Sequence, residues 1–276
     1  MVSTLILTLN EEYNLPECLA SLKWCDDVVV LDSFSTDRTV EIARAAGARL
    51  FQHKFDNWSS HQNWAAQNIP FKHPWVYYSD ADEVVTEDLA SELVTVAADS
   101  SRQEVAYRLR FKNMFFGHWL RHSSLYPTWV LRFFRPEKVR WERLVNPVAV
   151  VDGPVGKLRG HFLHYSFRKG IVAWYEKHNS YSAMEAKEAL KVLAHRTVPW
   201  RDLLSHDRAR RRAAWKDLSF RVPCRATLIY LYLMFVRAGV LDGPAGWRYC
   251  RMRSHYEYMI QLKVKEAQLR EAGLHI

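Results

Sequence analysis

The sequence lacks the features that mark secreted, disulfide-bonded and membrane-spanning proteins. Its N-terminal stretch, MVSTLILTLNEE, has no basic region and no cleavage-type small residues, so we expect a core strand and no secretion signal. The apolar run at residues 226–236 has 11 residues, which is too short to span a bilayer. The chain has four cysteines, Cys18, Cys25, Cys224 and Cys250. Their spacing matches neither metal-ligand nor redox motifs, so we expect reduced thiols in a cytoplasmic protein.

The charge differs in sign along the chain. Residues 1–100 carry a net charge of −10, residues 101–194 carry +10, and residues 195–276 carry +9. An acidic segment is suited to hold a cation, whereas a basic one is suited to a polyanion such as nucleic acid, anionic lipid or a phosphorylated glycan. The 276 residues are enough for one large α/β domain with an appendage.

The first hundred residues alternate between strand and helix patterns. Short apolar runs rich in β-formers predict buried strands at residues 2–9, 26–32, 49–55 and 75–82. The segments between and after them predict helices at residues 10–24, 35–48, 61–69 and 86–98. We expect Ser35 or Thr36 to cap the second helix, Gly47 to end it, and Thr86 to cap the fourth. This alternation predicts a parallel, doubly wound sheet.

The remainder of the chain has a different pattern. Residues 104–117 and 128–136 alternate apolar with basic or polar residues, as half-exposed strands do, and residues 141–165 contain strand and turn signals. We expect helices at residues 171–194 and 247–265. The run 226–236, flanked by Arg225 and Arg237, suits a membrane interface or a buried helix of the core or of a subunit contact.

Acidic residues cluster in the stretch YYSDADEVV, where Asp80, Asp82 and Glu83 follow a predicted strand. In parallel sheets the ligand crevice lies outside the carboxyl ends of the strands. The segments Thr8/Asn10/Glu11, Asp32/Ser33 and Asp80/Asp82 all fall at such ends, so we expect them along one edge. An Asp-x-Asp pair there predicts a site for Mg²⁺ or Mn²⁺, with a nucleotide diphosphate completing the ligand shell. The alternative is an Asp-rich turn exposed to solvent.

The run from TLNEE through VVVLDSFSTDRT to SDADE resembles the start of family 2 glycosyltransferases, which have the GT-A fold. The subgroup that extends lipopolysaccharide cores and related envelope glycans is the most similar. The resemblance covers residues 2–92 well and continues more loosely to about residue 185. It implies an α/β fold, Rossmann-like, with a mostly parallel sheet flanked by helices. Residues 1–100 would be the nucleotide-sugar-binding half, 101–194 the acceptor-side half, and 195–276 a basic helical extension.

The activity implied is inverting transfer of a hexose from a nucleotide-diphosphate sugar, with a UDP-sugar favoured. The acceptor implied is a lipid-linked or phosphorylated envelope glycan such as lipopolysaccharide core. The basic extension would meet the cytoplasmic face of the inner membrane, and a homo-oligomer is left open.

The resemblance also assigns roles to individual residues. Those expected to bind the nucleotide sugar are Thr8, Asn10, Glu11, Asp32, Ser33, Gln62, Asn63 and Asp80. Among them, Glu11 would accept from ribose hydroxyls and Asp32 would contact the base edge. Asp82 would bind the metal, and His164 would complete its shell, with a structural histidine at His161 or His164 as the alternative. Glu83 would support this shell or cap the next helix. Arg132 and Arg135 would meet phosphate or acceptor, or be plain surface charges.

The catalytic base is where the sequence departs from the family pattern. Relatives often have a His-Glu or Asn-Glu pair before the V-x-G-P-x-G turn, whereas this chain has Leu144-Val145-Asn146-Pro147. Glu142 is the nearest carboxylate and our candidate base, with pairing to Arg140 or Arg143 as the alternative that its neighbours favour. Asp152 is more distant. A specialised acceptor, a substituted base or lost activity all remain open.

Three other functions agree with part of the sequence. A scaffold with an altered active site agrees with Pro147, which cannot take a proton. A metal-dependent sugar nucleotidyltransferase would share the sheet and the Asp-x-Asp pair, but such enzymes begin with a Gly-rich basic loop, and LTLNEEYN has neither glycine nor positive charge. Nucleic-acid binding through RARRR at residues 208–212 would leave the acidic crevice unexplained, so we expect no nucleic-acid partner.

Overall fold

The computed structural model describes residues 2–142, 148–194, 200–222 and 224–274. The chain forms two compact units, one of Met1–Trp119 with Tyr126–Lys169, the other of Leu120–Leu125 with Gly170–Ile276. The predicted borders after residues 100 and 194 do not coincide with this division. Strands on both sides of residue 100 share one sheet, and the helix that ends at residue 194 packs with the C-terminal helices.

The N-terminal half of the first unit has the predicted alternation. Its elements are β1 (Val2–Thr8), α1 (Leu15–Ala20), β2 (Val28–Asp32), α2 (Thr39–Ala45), β3 (Arg49–Gln52), α3 (Trp58–Asn68) and β4 (Trp75–Asp80). The four strands are parallel in the order β3-β2-β1-β4. Because parallel neighbours end at the same edge, Thr8 lies opposite Asp32 and Leu7 opposite Asp80.

The rest of the first unit extends this sheet. The elements are β5 (Glu83–Val85), α4 (Glu87–Ala98), β6 (Ala106–Phe115), β7 (His118–Trp119), β8 (Trp129–Phe134), β9 (Val139–Glu142), β10 (Val148–Val151) and β11 (Val155–His164). Across the described residues, the full order is β3-β2-β1-β4-β8-β6-β11-β5, with β7 paired to β6. Strand β8 is antiparallel to both its neighbours, whereas β6 and β11 are parallel. Strands β9 and β10 form a separate antiparallel pair. The predicted class, a mostly parallel sheet flanked by helices, is confirmed.

Strands β1, β2 and β4 are covered on both faces, so they are almost continuously buried. Ile6 and Tyr77 face one layer, with α1 and α4 above them, in a cluster that includes Leu15 and Leu89. The alternate residues of the same strands, including Tyr78, face the other layer, where α3 and β9 pack.

Several helix boundaries differ from the prediction, and α1 covers only Leu15–Ala20 of the predicted residues 10–24. Helix α2 begins at Thr39, because Ser35 and Thr36 belong to the preceding loop. The Ser35 backbone N–H donates to Asp32 Oδ2 at 2.9 Å, and the Thr36 N–H donates to Asn10 Oδ1 at 2.8 Å. Gly47 follows the helix with a φ of +75°, as expected. Thr86 caps α4, its hydroxyl accepting from the Leu89 N–H at 3.4 Å.

The second unit is helical. Its helices are α5 (Gly170–Ala194), α6 (Arg208–Phe220), α7 (Arg225–Leu231) and α8 (Gly243–Glu271), and α7 continues into a π-helical turn at Tyr232–Val236. Helix α8 packs against both α5 and α7. In the described parts of the chain, no single helix has the length and apolar content needed to span a membrane. The helix pair Arg225–Val236 and Gly239–Glu271 has that length and apolar content only when the two are taken together, and it is bent by 75°.

Candidate functional site

The loops that follow β1 and β2 are tied together at the carboxyl edge of the sheet. Asn10 has a φ of +55°, and its backbone N–H donates to Ser35 Oγ at 2.8 Å. The Glu11 N–H donates to Thr39 Oγ1 at 2.7 Å. The two loops therefore form one continuous rim beside the strand ends.

Asp32 accepts hydrogen bonds from residues of this rim and of the neighbouring strands. It is fully buried, and its carboxylate accepts from Thr8 Oγ1 at 3.0 Å, from the Ser35 N–H at 2.9 Å and from Gln52 Nε2 at 3.2 Å. The Ser35 hydroxyl donates to it as well. These four donors match the acceptor capacity of a carboxylate, so Asp32 holds the rim in shape. Its contact with a base edge stays a prediction.

Glu11 pairs with Lys169, a cation that the sequence analysis did not assign to this edge. Its carboxylate accepts from Lys169 Nζ at 2.6 Å and from Asn14 Nδ2 at 2.7 Å. Burial raises the pKa of Glu11, against the opposing effect of Lys169. The next residue back, Arg168, pairs with Glu17 at 2.6 Å. Arg168 and Lys169 lie shortly after the carboxyl end of β11. The strand-end rule that predicted the acidic residues at this edge would also have placed HYSFRK, residues 164–169, there.

A buried arginine stands opposite two of the three crowded carboxylates. Arg132, on β8, donates through Nη2 to Glu83 Oε1 at 2.5 Å and also to Asp80 Oδ2. Its guanidinium lies over the Tyr78 ring, 4.4 Å from the centroid, and the Tyr78 hydroxyl donates to Asp80 Oδ1 at 2.8 Å. Burial raises the pKa of Glu83, and the guanidinium opposes that rise. Arg132 is therefore not a surface charge, and Glu83 does not cap α4, a role that Thr86 takes.

The third carboxylate, Asp82, lies beside His164. The distance from His164 Nε2 to Asp82 Oδ2 is 3.3 Å, and the Tyr165 N–H donates to the Asp82 carbonyl at 2.8 Å. On the other side of the ring, His164 Nδ1 lies 2.8 Å from Asn113 Oδ1. An amide oxygen only accepts, so Nδ1 donates to Asn113, and protonated His164 donates through Nε2 to Asp82. Loss of the Nε2 proton would leave a lone pair there that can bind a cation. Burial lowers the pKa of His164, but the negative charges of Asp82, Glu83 and Asp80 outweigh it and raise the pKa overall.

This pair suits a divalent cation. Within the described residues, no group of three or more His, Cys, Asp and Glu side chains is arranged as a metal site. Mg²⁺, however, typically takes only one or two protein carboxylates and completes its shell with substrate phosphates and water. An imidazole whose other nitrogen donates to an amide oxygen is the usual arrangement of a metal-binding histidine. Asp82 and His164 therefore fit the predicted cation, whereas Asp80 is already neutralised by Arg132.

Gln62 and Asn63 lie on α3 beneath the sheet. Gln62 is buried among Tyr78, Trp141 and other residues of the lower layer. The Asn63 side chain pairs with the backbone of Trp141, donating to its carbonyl and accepting from its N–H, each at 2.8 Å. Both ends of the Asn63 amide are used in fastening α3 to β9. The predicted nucleotide contact of Asn63 is thus replaced by a structural one.

Glu142 ends β9 and is exposed. Its Oε1 lies 3.2 Å from Arg140 Nε, so the pairing considered as its alternative role is present. The segment Leu144-Val145-Asn146-Pro147 lies outside the described residues. Asp152, the more distant candidate, pairs with Lys138 at 2.9 Å.

Sequence reasoning also missed two histidines next to Ser33. The Ser33 hydroxyl lies 3.3 Å from His61 Nε2, and His61 Nδ1 lies 3.4 Å from His53 Nδ1. His53 stacks on Trp64, with 4.3 Å between ring centroids. His61 is buried, and its pKa is lowered mainly by that burial. Nothing in the local sequence signals this cluster, because it depends on how α3 packs against the end of β2.

Comparisons with known proteins identify the family of the chain. The sequence profile described as Glycosyl transferase family 2 matches residues 3–157. A lipopolysaccharide core biosynthesis glycosyltransferase, LpsC of Rhizobium meliloti, is 28% identical over 199 residues, covering 69% of this chain and 72% of that protein. An uncharacterised glycosyltransferase of Rickettsia typhi is 27% identical over 202 residues, covering 69% and 68%.

Among solved structures, S. aureus TarS in complex with UDP-GlcNAc superimposes with a TM-score of 0.48 and 13% identity, covering 99% of this chain and 92% of that one. The Mycobacterium tuberculosis glucosyl-3-phosphoglycerate synthase in complex with Mg²⁺ and UDP gives a TM-score of 0.36 and 20% identity, covering 50% and 57%. The profile match covers more than half of the sequence. The chain belongs to glycosyltransferase family 2.

Proposed function

We propose that the protein is an inverting, metal-dependent glycosyltransferase that moves a hexose from a UDP-sugar to a lipid-linked or phosphorylated envelope glycan. The observation that carries the proposal is the pairing of Asp82 with His164 at the sheet edge where the loops after β1 and β2 meet. Family membership supports the transferase activity, and the arrangement of these two side chains supports its dependence on a metal.

The donor side follows from the rim. We assign donor binding to Thr8, Asn10, Glu11 and Ser33 of the rim, where the carboxylate of Glu11 would accept from ribose hydroxyls. Lys169, 2.6 Å from Glu11, adds a positive charge near the place expected for the diphosphate. Asp82 and His164 would hold Mg²⁺ or Mn²⁺, which when bound neutralises charge on the departing nucleotide diphosphate.

The acceptor side needs a base. In the transfer, an acceptor hydroxyl oxygen forms a bond to the anomeric carbon while the bond to the diphosphate oxygen breaks, and the hydroxyl proton goes to a carboxylate. We assign that carboxylate to Glu142. Its side chain is 54% exposed, and its Oε1 lies 3.2 Å from Arg140 Nε.

The acceptor class and the location are supported by charge and by one relative. LpsC is named for lipopolysaccharide core biosynthesis. The net charges of +10 and +9 in the later segments suit a phosphorylated or membrane-bound acceptor. We therefore place the protein at the cytoplasmic face of the inner membrane, attached through its basic C-terminal part. Self-association stays a prediction.

A catalytically altered scaffold is the second candidate. It is favoured by Leu144-Val145-Asn146-Pro147, which stands where relatives have a pair containing Glu. Such a scaffold would bind nucleotide sugar without turning it over.

Donor binding and turnover separate the two. The full-length protein is screened for thermal stabilisation by UDP-, GDP- and dTDP-sugars with and without Mn²⁺, and release of the nucleotide diphosphate is measured in the same samples. We expect Mn²⁺-dependent stabilisation by a UDP-sugar together with slow UDP release. Stabilisation without any release, even with envelope glycans added, would favour the scaffold.

The variant Asp82→Asn tests the metal assignment, with Asp152→Asn as the matched control on an exposed carboxylate. Asp82→Asn should abolish the effect of Mn²⁺ and the release of UDP, and Asp152→Asn should leave both unchanged. Wild-type behaviour of Asp82→Asn would refute the assignment.

A further inference from the structure

An apolar corner is exposed where α7 turns into α8. We define the corner as residues 231–247, within the helix pair that is bent by 75°. Its large apolar side chains lie mostly in solvent: Phe235 is 66% exposed, Val236 73% and Leu241 70%. Tyr232, Val240 and Trp247 are exposed as well. A contiguous exposed set of this kind marks an interaction surface more often than chance exposure does.

The backbone of the corner is fixed by close packing and by hydrogen bonds of Asp242. A Cβ at Gly239 would lie 2.6 Å from the Leu233 carbonyl oxygen, and one at Gly246 would lie 2.3 Å from the Gly239 carbonyl oxygen. The Asp242 carboxylate accepts from the backbone N–H groups of His122 and Ser123 at 3.0 and 2.8 Å. Close backbone packing and these hydrogen bonds fix the turn, so the exposed side chains project from a well-ordered turn.

A groove lies next to the corner, between α5, α7 and α8. It has a volume of about 570 Å³, and its lining includes Tyr175, Thr227, Tyr230, Arg251, His255 and Tyr258. His255 Nδ1 lies 3.5 Å from the Tyr175 hydroxyl. Arg251 and His255 are one helical turn apart, so both face the groove from α8. The groove thus combines aromatic walls with two groups that can donate hydrogen bonds to an anion.

The charge around the corner is unbalanced. Glu257 is buried and pairs with Arg225 at 2.7 Å. The Asp242 carboxylate accepts from the backbone N–H groups of His122 and Ser123. Among the residues that the structure describes, no carboxylate lies within 4.0 Å of Arg251 or Arg248. Arg251 lies over the Trp247 ring instead, 5.7 Å from its centroid. The corner therefore presents apolar groups flanked by uncompensated positive charge.

We propose that the corner and the groove form one membrane-binding site. The corner enters the interfacial layer of a phospholipid bilayer, and the groove binds the phosphate of an anionic lipid headgroup through Arg251 and His255. This deepens the location given under the proposed function, since it identifies the residues that make the attachment. Tryptophan and tyrosine favour the bilayer interface, where their rings are apolar and their polar tips reach water. A guanidinium fork matches phosphate oxygens, and positive charge is attracted to an anionic leaflet.

The same features argue against a second copy of the chain as the occupant. Two copies meeting at this corner would bring Arg248 and Arg251 of both into one apolar contact, and like charges there cost free energy unless a carboxylate intervenes. A bilayer of anionic lipids supplies the opposite charge.

Sedimentation of the full-length protein with vesicles tests the apolar contact. Phosphatidylcholine vesicles are compared with vesicles that also contain phosphatidylglycerol. Val236→Asp is paired with Val172→Asp, because both valines are 73% exposed and both variants gain the same charge. Val236→Asp should weaken binding about tenfold, since a carboxylate disfavours the interface, while Val172→Asp stays within about twofold of wild type.

A second pair tests the groove. Arg251→Gln and Arg248→Gln lose the same charge from the same helix, but only Arg251 lines the groove. General attraction to the surface is worth about 1 kcal/mol per arginine, so each variant should lose about fivefold on phosphatidylglycerol vesicles. We expect Arg251→Gln to lose about fivefold more, with part of it restored in Arg251→Lys. Soluble glycerol phosphate should not release the protein from vesicles.

Equal behaviour of the paired variants, or release by soluble glycerol phosphate, would overturn the site. The site would also be overturned if the wild-type protein did not bind vesicles and light scattering showed a dimer that Val236→Asp dissociates. UDP release needs no membrane, and all these variants should retain it. Lost vesicle binding with UDP release intact would refute this site alone, whereas vesicle binding without UDP release in the wild type would refute the proposed function alone.

Discussion

Arg132 Nη2 lies 2.5 Å from Glu83 Oε1, and the two side chains are only 11% and 2% exposed. The same nitrogen donates to Asp80, so one buried guanidinium balances two carboxylates at the acidic edge of the sheet. An isolated carboxylate in this position would be costly to bury. The crowding of acidic residues in YYSDADEVV is therefore compensated inside the protein for two of its three members, and only Asp82 is oriented toward a histidine.

Removal of Arg132 should destabilise the fold strongly. Arg132→Gln leaves Glu83 buried without its cation, and breaking such a pair typically costs about 3–5 kcal/mol in the free energy of unfolding. Urea denaturation of the variant checks this. Arg108→Gln, an exposed arginine on the neighbouring strand β6, serves as control and should change the free energy of unfolding by less than about 0.5 kcal/mol. A loss for Arg132→Gln no larger than that of the control would show that the ion pair is not formed in solution.

His164 should matter for metal use, whereas His161 on the same strand should not. His164→Asn removes one of the two proposed metal ligands, so we expect a rise in the Mn²⁺ concentration that supports half-maximal UDP release. Losses of about 10–100-fold are usual when even a supporting residue of a metal site is removed. His161→Asn retains the backbone carbonyl that accepts from Thr86 and serves as the matched control. An unchanged Mn²⁺ requirement in His164→Asn would contradict the assignment.

The strand ends were predictable because the signals for them are local. Apolar runs predicted β1, β2 and β4. Parallel pairing of these strands brings Thr8, Asp32 and Asp80 to one edge, independently of the later strands. Thr86 was predictable as a cap for the same reason. Ser35 and Thr36 were equally good local caps, but hydrogen bonds to Asp32 and Asn10 placed them in a loop instead.

The partners of these residues were not predictable, because they arise from pairings distant in sequence. Arg132 meets Asp80 only since β8 inserts antiparallel between β4 and β6. Asn63 is 78 residues from Trp141, and Glu11 is 158 residues from Lys169. No periodicity in the sequence reports such contacts. The family resemblance assigned Asn63 to the nucleotide, whereas packing of α3 against β9 uses its amide.

Asn63→Ala separates a structural role from a nucleotide contact. The substitution leaves the N–H and C=O of buried Trp141 without partners, so we expect a loss of about 2–3 kcal/mol in the free energy of unfolding. Binding of a UDP-sugar to the folded protein, measured by calorimetry, should be nearly unchanged. Asn68→Ala, on the exposed part of α3, is the control and should affect neither quantity. Weakened donor binding with unchanged stability would restore the nucleotide role.

Glu142→Gln should divide transfer from hydrolysis. If Glu142 takes the acceptor proton, its loss slows transfer to an envelope glycan by about 10²–10⁴-fold, the usual contribution of a general base. UDP-sugar binding and the effect of Mn²⁺ should stay at wild-type levels, because we assign neither of them to Glu142. Transfer is measured by product formation from radiolabelled donor, with Arg140→Gln as control for the loss of the Arg140 contact alone. Equal transfer rates for Glu142→Gln and the wild type would exclude Glu142 as the base and direct the search to residues 143–147.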